Sequence, residues 1–189
     1  LHLKTQAHVE KIETAGRRVT GVTYTHQGKR RTGRAKLAVL LCAGTINSPQ
    51  VLQLSGIGAP SLLEPNNIPV IHPLEGVGET LQDHYVARVS RRVIHTKSLN
   101  HRSRGLRMLL ETLNWLFRGR GLLSFSPAHV GVFLRSRDGL ETPDLQFVFT
   151  PASYRAGVAG GLHSFAGMTC GVCQMRPESR GFVRINSPN

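Results

Sequence analysis

The strongest chemical signal in the sequence is a turn of small and polar residues that follows a continuous apolar run. The run Leu37–Cys42 predicts a strand buried on both faces, and Ala43-Gly44 would let a ligand approach the backbone closely. Asn47-Ser48-Pro49 has the residue types of a helix cap and a first helical position, so we predict a short helix from Pro49 to Leu54 that Gly56 ends. Such an arrangement commonly binds a nucleotide phosphate, although an ordinary strand-to-helix connection has the same geometry.

The residues of this turn also match a known motif. Ala43–Gly58 resembles the second signature of the glucose-methanol-choline family of flavin-dependent alcohol oxidoreductases. Two later segments, Gly76–His84 and Arg176–Ile185, resemble further motifs of the same family in the same order. The resemblance covers nearly the whole chain. It implies FAD as cofactor and an alcohol as substrate, which is oxidised to an aldehyde as a hydride passes to the flavin.

The resemblance further implies where the cofactor would lie. Val9 matches a strand valine whose backbone meets the flavin adenine, and Ala43, Gly44 and Ser48 would form one wall of the flavin site. The Gly-x-Gly-x-x-Gly motif of the flavin-pyrophosphate turn does not occur in the sequence. We therefore expect the opposite wall to lie in sequence that precedes Leu1.

The segment Gly76–His84 needs separate interpretation. Two glycines two positions apart are also found in ordinary turns, so Gly76 and Gly78 alone are weak evidence. Thr80 stands where many members of the family have asparagine. Asp83-His84 has the residue types of a catalytic dyad, but adjacent side chains point in different directions, so we predict a structural, hydrogen-bonded role.

The chain lacks the region in which family members place their catalytic histidine. We therefore interpret it as an internal fragment that contains no catalytic residue of its own and does not oxidise alcohols alone. The electron acceptor and the oligomeric state are not indicated by the sequence.

The second half of the chain is most similar to choline dehydrogenases and bacterial alcohol dehydrogenases. His129 stands where the choline enzymes have a glutamate, Val148 stands where they have a pocket histidine, and Phe149 is a third candidate for the substrate pocket. Because imidazole and isopropyl groups are poor partners for a quaternary ammonium, an uncharged primary alcohol is the favoured substrate. Choline itself remains the alternative, and His129 has the alternative role of a buried packing residue.

The hydrophobic pattern predicts an α+β fold with two domains. Residues 1–84 would be the C-terminal part of an α/β FAD-binding domain with a β-meander, and residues 85–189 the N-terminal part of a substrate-binding domain with an antiparallel sheet. The amphipathic helix Gly105–Arg118 would pack its apolar stripe against a sheet, without a membrane role. Predicted strands cover 6–12, 18–25, 30–42, 85–94, 130–135, 144–150, 165–174 and 181–185.

Composition limits the other classes of function. No apolar run reaches the roughly 18 to 20 residues of a transmembrane helix, and the hydrophobic share of 40% is that of a globular protein. The net charge of +13 raises nucleic acid as a partner, but the basic residues lack interleaved aromatics, so no nucleic acid is expected. A basic nucleic-acid-binding domain and a non-catalytic binding module remain alternatives.

The three cysteines are too few for a disulfide framework. Cys170 and Cys173 have the spacing of a redox or metal pair, but no second pair of ligands accompanies them. We therefore predict buried thiols, no metal site and a reducing cytoplasmic location.

Overall fold

The computed structural model describes residues 2–126, 128–155 and 161–188. The chain divides into two compact units: the first runs to Gln82 and includes the segment that begins at Glu178, and the second is Asp83–Pro177. The predicted mixture of helix and sheet is confirmed. The sequence predicts the segment after Glu178 in the second domain, whereas the structure groups it with the first unit through the contacts of Ile185 described below.

The first unit contains an antiparallel meander followed by a helical segment. Hairpin turns at Gly16 and Gly28, both with positive φ, join the meander strands in the order β1-β2-β3. Its elements are β1 Ala7–Ala15, β2 Arg18–His26, β3 Lys29–Arg34, α1 Gly44–Leu54, β4 Ile57–Gly58, α2 Pro60–Leu63, a 3₁₀ turn Glu64–Asn66 and β5 His72–Pro73.

The second unit is built on a four-stranded antiparallel sheet with strand order β6-β9-β8-β7. The predicted antiparallel arrangement is therefore correct. Its elements are β6 Val86–Arg92, α3 Leu99–Arg102, α4 Gly105–Arg118, a 3₁₀ turn Leu122–Ser124, β7 Val130–Leu134, β8 Leu145–Thr150 and β9 Gly167–Gln174.

The apolar run Leu37–Cys42 does not form the predicted buried strand. β3 ends at Arg34, and the side chains of Leu37 and Leu40 are 98% and 86% exposed. A strand needs a neighbouring strand to satisfy its backbone, and no described residue pairs with this run. The prediction is wrong because the apolar pattern reports what a segment can bury, not whether a partner is present.

Helix α1 begins earlier than its capping signals indicate. It starts at Gly44, after Ala43, and Pro49 lies inside it rather than at its first position. Neither Asn47 nor Ser48 caps the helix, so this part of the prediction is wrong. Pro49 has no N–H to donate to the carbonyl four residues earlier, but the helix continues through it. The predicted end is correct, because Gly56 adopts a φ of +76° just beyond the helix.

A small hydrophobic core explains why the C-terminal segment belongs to the first unit. Leu63 is fully buried and packs with Ile68 and Ile185, and Leu54 and Val70 pack against them partly buried. Among the described residues of the C-terminal segment, 178–188, none lies in a regular strand, and Gly181 forms an isolated bridge with Leu81. Apolar packing thus holds residues that the alternating pattern had predicted to be a strand.

Helix α4 is amphipathic as predicted, but its apolar stripe faces solvent. No residue of the helix is buried, and the half-buried positions are on its other sides, at Met108, Glu111, Thr112 and Asn114. The prediction that this stripe packs against a sheet is therefore wrong. The exposed stripe consists of Leu106, Leu109, Leu110, Leu113, Leu116 and Phe117.

The polar side of α4 is anchored by Glu111. Its carboxylate accepts the Leu122 N–H at 2.9 Å and the Arg102 Nε–H at 2.7 Å. Both bonds hold the pKa of Glu111 below its ordinary value, and the bond from the Leu122 N–H has the larger effect. Because the ionised carboxylate bridges the helix to the segments before and after it, the leucine stripe is turned outward.

The remaining sequence features have simple structural outcomes. Cys170 and Cys173 are three positions apart on β9, so their thiols point to opposite faces; Cys173 is buried and Cys170 is half-buried.

The hydrogen bonds of His84 are structural, as predicted. Its backbone N–H donates to the Asp83 carboxylate, and its Nε2 forms a hydrogen bond with the Met175 carbonyl. Among the described residues, no helix is long and apolar enough to cross a bilayer.

A buried amide network holds α3 to the residues that follow β8 and precede β9. Asn100 is fully buried and its Nδ2 donates to the carbonyls of Ser153 and His163, both at 2.9 Å. Its Oδ1 accepts the Ser153 N–H at 3.0 Å and the Ser98 hydroxyl at 3.2 Å. One side chain thus satisfies backbone groups from two other segments.

We expect Asn100→Ala to lower the free energy of unfolding by about 3 kcal/mol, because buried donors and acceptors lose their partner. Urea denaturation of the purified chain measures this loss. Asn114→Ala is the matched control, since the half-buried Asn114 amide donates only to the Arg120 carbonyl. Equal losses in the two variants would contradict the structural role of Asn100.

Candidate functional site

The first unit contains a cleft of about 620 Å³ between α1 and the loop that follows β5. One side is formed by α1 residues between Thr45 and Leu52, and the other by the glycine-containing loop 74–82. Val183 closes one end, so all three motif segments of the sequence contribute to the same cleft. Its lining residues are Thr45, Ser48, Pro49, Leu52, Leu74, Gly76, Val77, Gly78, Glu79, Thr80, Leu81, Gln82 and Val183.

A single buried side chain, Gln53, joins these three segments. It extends from α1 with no exposed surface, and its Nε2 donates to the Val77 carbonyl at 3.2 Å and to the Val183 carbonyl at 3.0 Å. Its Oε1 accepts the Ile185 N–H at 3.0 Å. The amide thus satisfies three backbone groups that no regular secondary structure would pair.

Gly78 allows the loop to approach the C-terminal segment closely. Its φ is +82°, and a Cβ at this position would lie 2.1 Å from the Val183 oxygen and 2.6 Å from the Gln53 Nε2. The Val183 N–H donates to the Gly78 carbonyl at 2.7 Å. Glycine is therefore required here for both conformation and space, so this position is more specific than the two-glycine pattern alone indicated.

The backbone at Thr80 gives a physical reason for the asparagine that many members of the family have there. Thr80 has a φ of +58°, in the left-handed region that β-branched residues rarely adopt and asparagine adopts more readily. The side chain is exposed, and this position lines the cleft. A preference of the backbone alone is enough to explain asparagine at this position.

The predicted cofactor residues occupy different places relative to the cleft. Ser48 lines it, while Ala43 and Gly44 stand exposed at the N-terminal end of α1. Gly44 has a φ of +84°, and a Cβ there would meet no atom within 4 Å. Val9 is 37% exposed on β1 and does not line the cleft.

The first turn of α1 has the properties that a phosphate-bearing cofactor needs. Its first four N–H groups have no acceptor within the helix, and the space beside Gly44 is open. The meander that contains Val9 is fixed to the far end of the same helix, because the Ile12 N–H donates to the Ser55 hydroxyl at 2.8 Å. The residues present therefore fit one side of a dinucleotide, with Val9 on a neighbouring element.

The acidic residue at the cleft is neutralised. Glu79 forms an ion pair with Arg184, whose Nε lies 2.8 Å from the Glu79 Oε1. The Arg184 guanidinium also stacks on the Phe182 ring, at 4.3 Å from its centroid. Since the carboxylate is paired, it presents little net repulsion to an anionic ligand.

The substrate-pocket candidates lie in the second unit. His129 is exposed, its N–H donates to the Phe149 carbonyl at 3.0 Å, and its ring lies 5.2 Å from the Phe125 ring. The alternative that His129 is a buried packing residue is therefore wrong. Val148 and Phe149 are consecutive on β8 and half-buried, so their side chains point to opposite faces of the sheet. One pocket on one face would contain only one of them.

Gln53 organises the cleft, yet no sequence motif singles it out. A signal was present, because Val51-Leu52-Gln53-Leu54 places a lone amide in an apolar helical turn. A polar residue in such surroundings is expected to be either exposed or fully hydrogen-bonded. The partners on Val77, Val183 and Ile185 could not be inferred, since the nearest is 24 positions away and the farthest is 132.

We expect Gln53→Leu to lower the free energy of unfolding of the first unit by about 2 to 4 kcal/mol, because three buried backbone groups would lose their partners. Urea denaturation followed by the signals of this unit measures the change. Gln50→Leu is the matched control, since Gln50 is exposed on the same helix. If the two variants unfolded at the same urea concentration, the role assigned to Gln53 would be contradicted.

Comparison with known proteins shows what the chain is similar to. Residues 1–86 match the family model described as GMC oxidoreductase. The chain is 39% identical to an oxygen-dependent choline dehydrogenase of Chromohalobacter salexigens, over 99% of this chain and 33% of the relative. It is 38% identical to one of Pectobacterium carotovorum, with the same coverage. The chain thus spans about a third of the length of these curated relatives.

The fold is also that of a solved flavoenzyme structure. A formate oxidase matches with a TM-score of 0.87 and 20% identity, over 97% of this chain and 37% of the oxidase. A second formate oxidase structure, from Aspergillus oryzae and described by its FAD modification, matches with a TM-score of 0.86 and 20% identity. The predicted family resemblance is therefore confirmed: residues 1–86 match the GMC oxidoreductase model, and the whole chain is similar to choline dehydrogenases.

Proposed function

We propose that this chain supplies one wall of the FAD site and part of the substrate site of an FAD-dependent alcohol oxidoreductase. The observation that carries the proposal is the cleft itself. Three motif segments that are far apart in sequence meet there around Gln53, beside the open N-terminal turn of α1.

Each of the predicted residues would contact a different part of the cofactor. The backbone N–H groups after Ala43 and Gly44 would bind a phosphate, Ser48 would donate its hydroxyl within the cleft, and the backbone of Val9 would meet the adenine. The chemistry that FAD supplies when bound is the acceptance of a hydride from an alcohol carbon. We assign no catalytic base to this chain, so its residues bind and orient.

We propose an uncharged primary alcohol as the substrate. His129 and Val148 contribute no carboxylate that would stabilise a quaternary ammonium. The similarity to choline dehydrogenases favours choline as the second candidate. The three cysteines are free, which is consistent with our proposal that the protein works in the reducing cytoplasm.

The cofactor proposal predicts that FAD perturbs the amide resonances of Gly44, Thr45 and Ser48 when it is titrated into the ¹⁵N-labelled chain. Ser48→Trp should weaken binding at least about tenfold, because an indole would fill the cleft at a half-buried position. The measurement is chemical-shift perturbation by NMR, which detects weak complexes.

Gln50→Trp is the control for a large side chain on α1, since Gln50 does not line the cleft. It should bind FAD as the unmodified chain does. The proposal fails if FAD leaves residues 44–48 unperturbed, or if both tryptophan variants bind alike. Salt-sensitive retention of DNA without any flavin effect would favour the nucleic-acid alternative instead.

The substrate proposal predicts the behaviour of a chimera. We expect a Chromohalobacter choline dehydrogenase whose matching third is replaced by this chain to prefer butan-1-ol over choline in kcat/KM. His129→Glu should shift the ratio towards choline at least about tenfold, since a carboxylate stabilises a nearby cation. Ser126→Glu, at an exposed position nearby, is the control. A chimera that contains flavin yet prefers choline without the substitution would contradict the proposal.

A further inference from the structure

The charge in the lining of the cleft has the wrong sign for the proposed cofactor. Among the described residues that line the cleft, Glu79 alone carries a formal charge, and it lies on the loop opposite Thr45 and Ser48 of α1. The pyrophosphate of a dinucleotide is negatively charged. The width of a cleft of about 620 Å³ is similar to the Debye length at physiological salt, about 8 Å, so salt would screen a repulsion between Glu79 and a bound phosphate only in part.

Arg184 supplies the opposite charge from the C-terminal segment. Its Nε and its Nη2 each lie 2.8 Å from the Glu79 Oε1, and its guanidinium stacks on the Phe182 ring. Arg184 does not line the cleft itself; it lines a neighbouring cavity of about 320 Å³, and Val183 borders both spaces. The cation therefore neutralises the carboxylate without occupying the space that a ligand would fill.

The ion pair contributes little to the position of the loop that carries Glu79. The side chains of Arg184 and Glu79 are 46% and 35% exposed, and water and salt screen ion pairs of this exposure. The loop is instead fixed by buried contacts, since Gln53 binds the Val77 carbonyl and the Gly78 backbone approaches the C-terminal segment closely. The main effect of the pair is therefore on the charge of the cleft rather than on its shape.

We propose that Arg184 is a positioning residue for the cofactor: it holds and neutralises the Glu79 carboxylate and thereby sets the affinity of the cleft for an anionic dinucleotide. This inference rests on the proposed FAD site. Arg184 acts through Glu79 and needs no contact with the cofactor. The pair has a further consequence: a neutral side chain at position 79 would leave Arg184 free to attract phosphate, so Glu79 limits the affinity that Arg184 alone would give.

The test is titration of FAD into the ¹⁵N-labelled 189-residue chain, with the dissociation constant taken from the amide shifts of Gly44, Thr45 and Ser48. Arg184→Gln should raise the dissociation constant at least about threefold, because the unpaired carboxylate repels the phosphates. Glu79→Gln should lower it at least about threefold, because Arg184 then attracts them. The double variant and Arg184→Lys should both bind within about twofold of the unmodified chain, since neither changes the net charge of the pair.

The matched control is Arg17→Gln, which removes one positive charge from an exposed position of the same unit that does not line the cleft. It should bind FAD as the unmodified chain does. At about 1 M salt, where the Debye length is about 3 Å, all variants should bind alike.

Opposite effects of the two single variants distinguish a charge effect from a structural one, because a pair that only fixed the loop would weaken binding when either partner is removed. The inference is overturned if Glu79→Gln and Arg184→Gln both weaken binding, if neither changes it, if Arg17→Gln acts as Arg184→Gln does, or if the differences persist at high salt. If FAD leaves residues 44–48 of the unmodified chain unperturbed, the proposed function itself fails, and this inference fails with it.

Discussion

The buried carboxamide of Gln53 is the interaction on which the candidate site depends. Leaving backbone donors and acceptors unpaired in a buried place is costly, and this amide pairs three of them from two segments distant in sequence. The short distance between Gly78 and Val183 adds a steric requirement at the same point. Together, the Gln53 hydrogen bonds and this close approach hold three short, irregular segments in one arrangement that lines the cleft.

Local signals predicted the parts of the fold that need no distant partner. The two hairpin turns of the meander and the limits of β2 were predicted closely, because Gly16 and Gly28 provide the positive φ that tight hairpins require. The third strand was predicted to run to Cys42 but ends at Arg34. The end of α1 at Gly56 follows from the same property. The start of α1 was predicted five residues late, because Asn47, Ser48 and Pro49 resemble a cap although the helix had already begun at Gly44.

The wrong predictions concern segments whose structure depends on a neighbour. Leu37–Cys42 has the composition of a buried strand and α4 has the pattern of a packed helix, yet both expose their leucines. Hydrophobic pattern identifies a surface that can be buried, but it does not identify what buries it. The same limit applies to the site. Motif resemblance identified Ser48 and the glycine loop, whereas the role of Gln53 depends on contacts with residues up to 132 positions away.

If Gln53 makes the cleft a single structural element, its three segments should open together. Native-state hydrogen exchange in low urea, measured on the amides of Ser55, Val183 and Ile185, tests this most directly, because amides within one cooperative unit share one opening free energy. We expect the exchange free energies of the three amides to converge as urea is raised. If Val183 and Ile185 exchanged through a lower-energy opening than α1, with a separate dependence on urea, the central claim would be contradicted.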